Sequence, residues 1–218
     1  MDFLLSLWGY TSGRFDQVGQ ALLEHIAYVV SVVGLASVFA IVVAVATRHN
    51  VFARELSLAI ASVFLTIPSL ALFTIFIPLV GLGFAPSFIA LFLYAILPIL
   101  RNTVTGLDGV DPSVMEAAKG MGLTNSEILL RIQLPLAWPV ILAGIRIATM
   151  LTVGIAAIAT LVAGGGLGDF IKSGLARLPL PNSLEAIWLG TILSLLLAFA
   201  IDMALKLVKN VTISRGIR

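Results

Sequence analysis

The chain has 218 residues, of which 60% are hydrophobic and 11% charged, and its mean hydropathy is +1.11. A soluble domain is about 45–50% apolar and about 25% charged, so 13 basic and 11 acidic side chains are too few to coat a water-exposed surface here. Composition thus excludes a soluble globular domain, a disordered chain and a nucleic-acid binder. It leaves an integral membrane protein, expected to form one domain over residues 1–218, and the length of its apolar runs makes it all-α rather than a barrel.

The chain has no cysteine, so disulfides, thiolate metal sites and cysteine nucleophiles are excluded. The first residues, Met1 to Leu5, lack a basic segment and a small-residue cleavage site, and no removable signal peptide is expected. Residues 1–25, with Trp8, Tyr10 and Phe15, read as an interfacial lead-in. A helix needs about 20 apolar residues to cross the hydrocarbon core. Five candidate spans are found, the third of them short: Ile26–Thr47, Leu56–Val80, Phe84–Leu100, Leu136–Ala163 and Ala186–Leu205. Pro68 and Pro78 each remove a backbone donor within the second, which predicts a kink or break, either structural or lining a pathway.

With five spans, segments 48–55, 101–135 and 206–218 share one side and hold nine Lys and Arg: Arg48, Arg54, Arg101, Lys119, Arg131, Lys206, Lys209, Arg215 and Arg218. The other side holds three: Arg14, Lys172 and Arg177. Basic residues concentrate on the cytoplasmic side of membrane proteins. The expectation is a cytoplasmic C-terminus and an external N-terminus.

The 101–135 segment carries its own helix signals. Asp111-Pro112 reads as an N-cap followed by proline at the first helical position. Gly120 and Gly122 can both end that helix in left-handed geometry, and Gly122 is the better placed. Thr124 and Glu127 fit a capping box that opens a second helix reaching about Leu134, with Pro135 and Pro139 marking the entry to the fourth span. Two short helices joined at a glycine elbow suit either docking to another protein or an interfacial hairpin.

Glu116-Ala117-Ala118, Gly122 and Ile132-x-Leu134-Pro135 match the E-A-A-x3-G-x9-I-x-L-P motif, and the sequence here resembles the permease subunits of binding-protein-dependent ABC importers. Thr66 to Leu72, Tyr94 to Thr103 and Gly164 to Asp169 are similar to the osmoprotectant branch, which handles glycine betaine, carnitine, choline and related quaternary amines. The methionine-type permeases share the five-span plan and are the alternative within the same class. The resemblance implies a type I ABC importer permease fold in the cell membrane. It implies a cytoplasmic ABC ATPase dimer, a second permease (identical or homologous) and an extracytoplasmic substrate-binding protein as partners within the lipid bilayer. ATP and magnesium would be used by the ATPase, with no cofactor on this chain. The coupling residues implied are Glu116, Ala117, Ala118, Lys119, Gly120, Met121, Gly122, Leu123 and Thr124, with the small ones allowing close approach. Gly164, Gly165, Gly166 and Asp169 would face the binding protein.

The residues alone leave other readings open. Gly166 to Ser173 has phosphate-loop spacing, but Ile171 stands where the second glycine is required. The bland reading of Gly164, Gly165 and Gly166 is a flexible turn ending the fourth span. Arg146 inside an apolar run must face the bundle, water or a partner, as a snorkelling cation or as part of a gate. Asp202 can pair with Arg146, or with Lys206 four residues on. Phe88 and Phe92 share a helix face and can attract a quaternary ammonium or simply pack. Pro68, Phe88, Phe92, Arg146 and Asp202 are therefore the candidate pathway residues. Gly144, Ala148, Ala156 and Ala157 suit a close seam between two permeases. His25 and His49 bracket the first span as interfacial residues and cannot share a metal or a catalytic site. No catalytic or metal-ligating constellation is expected. The remaining alternative is an ATPase-independent channel or secondary transporter, for which only Arg146 and Asp202 supply intramembrane charge.

Overall fold

A computed structural model describes residues 2–212. Arg215 and Arg218, counted in the charge asymmetry, lie outside the described residues, as does the chain end whose side was assigned from it. The helices are α1 (Asp2–Ser12), α2 (Phe15–Thr47), α3 (Val51–Thr66), α4 (Ser69–Val80), α5 (Phe84–Asp108), α6 (Pro112–Gly120), α7 (Asn125–Ile128), α8 (Leu134–Ala159), α9 (Gly168–Ala176) and α10 (Ser183–Thr212).

Among the described residues, four helical stretches are long and apolar enough to cross a membrane: α2, α5, Asn125–Val162 and α10. A fifth crossing results if α3 and α4, bent by 100° against one another, form one broken span. The expected five spans thus correspond to these elements, with different ends. The segment before Ile26 is helical, with α1 as a separate helix and α2 already begun at Phe15. The third span does not stop at Leu100 but continues to Asp108, which shortens the loop that follows. Hydropathy marks the part of a helix that meets hydrocarbon, and hydrogen bonding carries the helix beyond it into water.

The break between α3 and α4 falls at Ile67-Pro68. Pro68 lacks the N–H that would continue α3, and its ring disfavours helical geometry at the residue before it. Ile67 accordingly turns to extended backbone, φ −75° and ψ 133°. A carbonyl freed inside a membrane must find a donor. The Tyr94 hydroxyl of α5 donates to the Ile67 carbonyl and fulfils that need. Tyr94→Phe is expected to orphan this carbonyl at a cost of about 1 kcal/mol. A thermal denaturation midpoint in detergent identical to that of the wild type would count against this role.

α5 is the central helix. It packs against α8, α2, α3 and α4, and 61% of its apolar window is buried, against 22% for the peripheral α10. The main core combines Tyr28, Ala36 and Ala40 of α2 with Leu91, Tyr94 and Ile99 of α5 and Ile141 and Ala148 of α8. Close approach of α5 and α8 depends on Gly144, where an added Cβ would lie 2.6 Å from the Asn102 Cβ and 2.7 Å from the Pro98 carbonyl oxygen. Gly144, Ala148 and Ala156 are therefore buried within this chain's own core, and Ala157 is half-buried. They bring α8 against its neighbours in the same subunit, which replaces the expected seam between two permeases.

The second elbow helix also differs from expectation. α7 does not end near Leu134 but passes through a π-helical turn, Leu129–Gln133, straight into α8. In a regular α-helix the Pro135 ring would clash with the carbonyl four residues earlier, and the wider turn accommodates it. Gln133 anchors the turn by donating to the Leu107 carbonyl at 3.2 Å.

Candidate functional site

The elbow between α5 and α8 is built by local signals. The Asp111 carboxylate accepts from the Ser113 N–H at 2.8 Å, and Pro112 occupies the first turn. Hydrogen bonding to Ser113 holds the Asp111 carboxyl below its ordinary pKa. α6 ends with the Gly122 N–H bonded to the Lys119 carbonyl at 3.0 Å and the Leu123 N–H to the Ala118 carbonyl at 3.2 Å. That paired closure is a Schellman motif, and it needs the left-handed φ of +82° found at Gly122. The Thr124 hydroxyl then accepts from the Glu127 N–H at 3.3 Å, while Glu127 accepts from the Thr124 N–H at 3.0 Å, a complete capping box.

This geometry sorts the expected coupling residues. Glu116, Ala117, Lys119, Gly120, Met121, Gly122 and Thr124 are exposed, with Met121 at 72%. Leu123 is half-buried and Ala118 is fully buried. Ala118 thus faces its own subunit, and the outer surface is a small-residue patch around Ala117 and Gly122 beside one apolar side chain, Met121. The Glu116 and Lys119 charges flank it.

Midway along α8, Arg146 meets Asp202 of α10. The Arg146 Nε donates to Asp202 Oδ1, and a second guanidinium nitrogen donates to Oδ2 at 3.0 Å. Lys206 Nζ lies 2.9 Å from the same Oδ2. Both partners weighed for Asp202 are therefore engaged at once. The carboxylate side chain is 13% exposed, whereas Arg146 and Lys206 are about half exposed. Since one carboxylate serves two cations, Asp202→Ala should lower the denaturation midpoint more than Arg146→Ala or Lys206→Ala. An Arg146→Ala/Asp202→Ala double variant should be no worse than Asp202→Ala alone, and additive losses in that cycle would show that the groups are uncoupled.

At the opposite end, α8 closes in a short 3₁₀ turn, Thr160–Val162, and Ala163 is left-handed. Gly165 (φ +77°) and Gly166 (φ +83°) continue the turn, where an added side chain would be strained. The turn is tied down on several sides, in place of the flexible loop expected. The Gly166 N–H donates to Glu24 Oε2 at 3.3 Å, and the Leu167 N–H donates to His25 Nδ1 at 3.3 Å. With Nδ1 accepting, His25 carries its proton on Nε2, 3.2 Å from the Val153 carbonyl oxygen. His25 is thus a buried tie between α2, α8 and the turn, not an interfacial residue. His49 is exposed. Asp169, also exposed, accepts from the Thr160 hydroxyl in the first turn of α9.

The candidate pathway residues do not converge. Pro68 sits at the α3–α4 break. Phe92 stacks edge-on with Phe39 at 5.6 Å. Phe88 belongs to a different group, with Phe84 at 5.2 Å and Tyr28 at 6.3 Å, near the glycine turn. Tyr28 and Glu24 were not singled out by sequence; their i, i+4 spacing on α2 is the signal that could have found them.

These elements define a multi-pass helical membrane protein with a glycine-rich turn at one end and a capped helical elbow at the other. Residues 36–210 match the family described as binding-protein-dependent transport system inner membrane component, and the chain belongs to that family. It is 37% identical over 195 residues to the glycine betaine/carnitine/choline transport system permease protein OpuCB of Bacillus subtilis (strain 168), covering 89% of this chain and 88% of that protein. The choline transport system permease protein OpuBB of the same organism is 49% identical over 118 residues, a match spanning 54% of each chain. A chain in an inward-facing structure of the MetNI methionine ABC transporter superposes with a TM-score of 0.77 at 23% identity, covering 89% of this chain and 95% of that one. The fold is that of a type I ABC importer permease.

Proposed function

We propose that this chain is the permease subunit of an ATP-driven importer and forms, with a second permease, the passage for a quaternary-amine osmoprotectant such as glycine betaine, carnitine or choline. The observation that carries the substrate class is the 37% identity over nearly the whole length to a permease named for those three solutes. An extracytoplasmic binding protein delivers the solute. A cytoplasmic ATPase dimer binds ATP and magnesium and grips the elbow, so this chain itself is non-catalytic. Residues 101–135 contain the coupling element, and its exposed patch of Ala117, Gly120, Met121 and Gly122 suits a partner's groove. Closure of the ATPases would move the elbows as rigid levers and switch the bundle between inward and outward states. The external glycine turn, with Asp169, would face the binding protein.

The deciding measurement is uptake of radiolabelled choline and glycine betaine by proteoliposomes holding the full transporter, with and without internal ATP. ATP-dependent accumulation is expected. Uptake without ATP would favour a channel or secondary transporter, and accumulation of methionine alone would move the chain to the methionine type.

Orientation can be read separately, because the chain has no native cysteine. Ala117→Cys should react with a membrane-impermeant maleimide only when the cytoplasmic face is opened. Labelling in intact, sealed cells would put the elbow on the wrong side for an ATPase.

A further inference from the structure

Between α2, the start of α5 and the glycine turn lies a cavity of about 440 Å³. Its walls include Glu24, His25, Tyr28 and Ser31 of α2, Phe84 of α5 and Gly164–Gly166, with the Ser31 hydroxyl donating to the Tyr28 carbonyl at 3.0 Å. Small-molecule sites fall in this range, at about 300–1,000 Å³. Three observations give the cavity a chemistry.

The first is aromatic. The Tyr28 and Phe84 ring centroids are 4.7 Å apart, and Phe88 backs Phe84 at 5.2 Å. Phe84 is 54% exposed, so this ring is not used up by its neighbours. The second is charge. Glu24 lies one helical turn from Tyr28 and is the one Asp, Glu, Lys or Arg among the residues lining the cavity. Its carboxylate is held at the rim by Gln20, which donates to Oε1 at 2.9 Å, and by the Gly166 N–H on Oε2. A carboxylate has about four lone-pair sites, so acceptor capacity remains. The third is that the imidazole in the wall has no nitrogen to spare. His25 spends both ring nitrogens on backbone groups of α8 and the turn, and its side chain is buried.

Rings, one carboxylate and an imidazole with both nitrogens engaged fit a cation that needs no hydrogen bonds. A primary ammonium carries three donors that would each require an acceptor here. A quaternary ammonium carries none, and its methyl groups present positive charge to an aromatic face. The glycines are part of the design: an added Cβ at Gly165 would stand 3.2 Å from Glu24 Oε2, and one at Gly166 3.1 Å from His25 Nδ1. Side chains at either place would crowd the wall that Glu24 and His25 form.

We propose that this pocket is a receiving site in the permease itself for the quaternary ammonium head of the incoming solute, with Glu24 supplying the counter-charge and the Tyr28 and Phe84 rings contacting the methyl groups. It rests on the import reading above and adds that this subunit takes part in selecting the solute. The site is a weak, transient one at the outer mouth, so the solute can leave it inward.

The test uses the full transporter complex without its binding protein and follows saturation transfer to the methyl protons of choline, with 3,3-dimethyl-1-butanol as the uncharged isostere. Choline should give a signal in the wild type and the isostere should not. Glu24→Gln and Phe84→Leu should each reduce the choline signal at least fivefold, while Phe84→Trp, which keeps a ring, should retain it and so separate loss of the ring from misfolding. Equal signals from choline and the isostere, or an undiminished choline signal in both variants, would overturn the site, as would no choline signal in the wild type. Uptake keeps the two claims apart. Lack of ATP-driven quaternary-amine uptake by the wild-type complex overturns the import reading. Normal wild-type uptake combined with an unchanged choline KM in Glu24→Gln overturns the pocket alone, since a rise of about tenfold is expected.

Discussion

Gly122→Trp is expected to abolish ATP-driven uptake while the protein still inserts and folds. Nothing lies within 4 Å of the position an added Cβ would take at Gly122, so the indole has no internal packing to disturb. It would project from the exposed patch where an ATPase is expected to dock. The substitution also places a non-glycine residue at φ +82°, which costs about 1–2 kcal/mol. Gly122→Asn separates the two effects. Asparagine tolerates left-handed backbone and is small, so it should retain much of the uptake. Equal losses in both variants would assign the effect to elbow conformation, and wild-type uptake from Gly122→Trp would remove the elbow from the coupling interface.

The second large effect concerns stability. Gly168 begins α9, and a Cβ there would fall 2.0 Å from the Ala157 carbonyl oxygen and 2.9 Å from the Thr160 Cγ2. The obstacle is backbone of α8, which cannot turn aside as a flexible side chain can. α9 meets α10 equally closely: a Cβ at Gly174 would lie 2.5 Å from the Ser183 carbonyl oxygen, and one at Gly190 2.9 Å from the Leu167 carbonyl oxygen. Gly168→Val should therefore cost about 3 kcal/mol, at the upper end for overpacking. It should show as a lower denaturation midpoint and less monodisperse protein in detergent. Gly34→Ala, where nothing lies within 4 Å, serves as the benign control. If the two behave alike, α9 is not clamped as described.

How much of this was legible in sequence follows from the range of the forces involved. The elbow could be read almost residue by residue, because Asp111-Pro112, Gly122 and Thr124-x-x-Glu127 act through backbone groups within a few positions. The position of the α3–α4 break was also local, since Pro68 states it. Its 100° angle was not, because it is fixed by helix packing and by a donor on α5 that reaches the Ile67 carbonyl. Helix α9 was missed altogether. Nine residues rich in glycine give little intrinsic helix signal, and this helix is secured by contacts with α8 and α10 made far along the chain. His25 was misread for a similar reason: a lone histidine at a span end looks interfacial until Val153 and Leu167 close around it. For Asp202 the sequence offered Arg146 and Lys206 as rivals, and in three dimensions a carboxylate with two oxygens accommodates both.

The merging of α7 into α8 through the wide turn has a mechanical consequence. Asn125–Val162 is a single stretch of 38 residues, about 57 Å of rod at 1.5 Å per residue. One tip carries the capped elbow, and the other runs into the glycine turn that Glu24 and His25 tie down. A displacement of the elbow therefore acts on the far end through one helical stretch, whose irregularities are the π turn, Pro139 and the closing 3₁₀ turn. Under the import reading, lengthening the π turn should alter how movement of the elbow reaches the glycine turn.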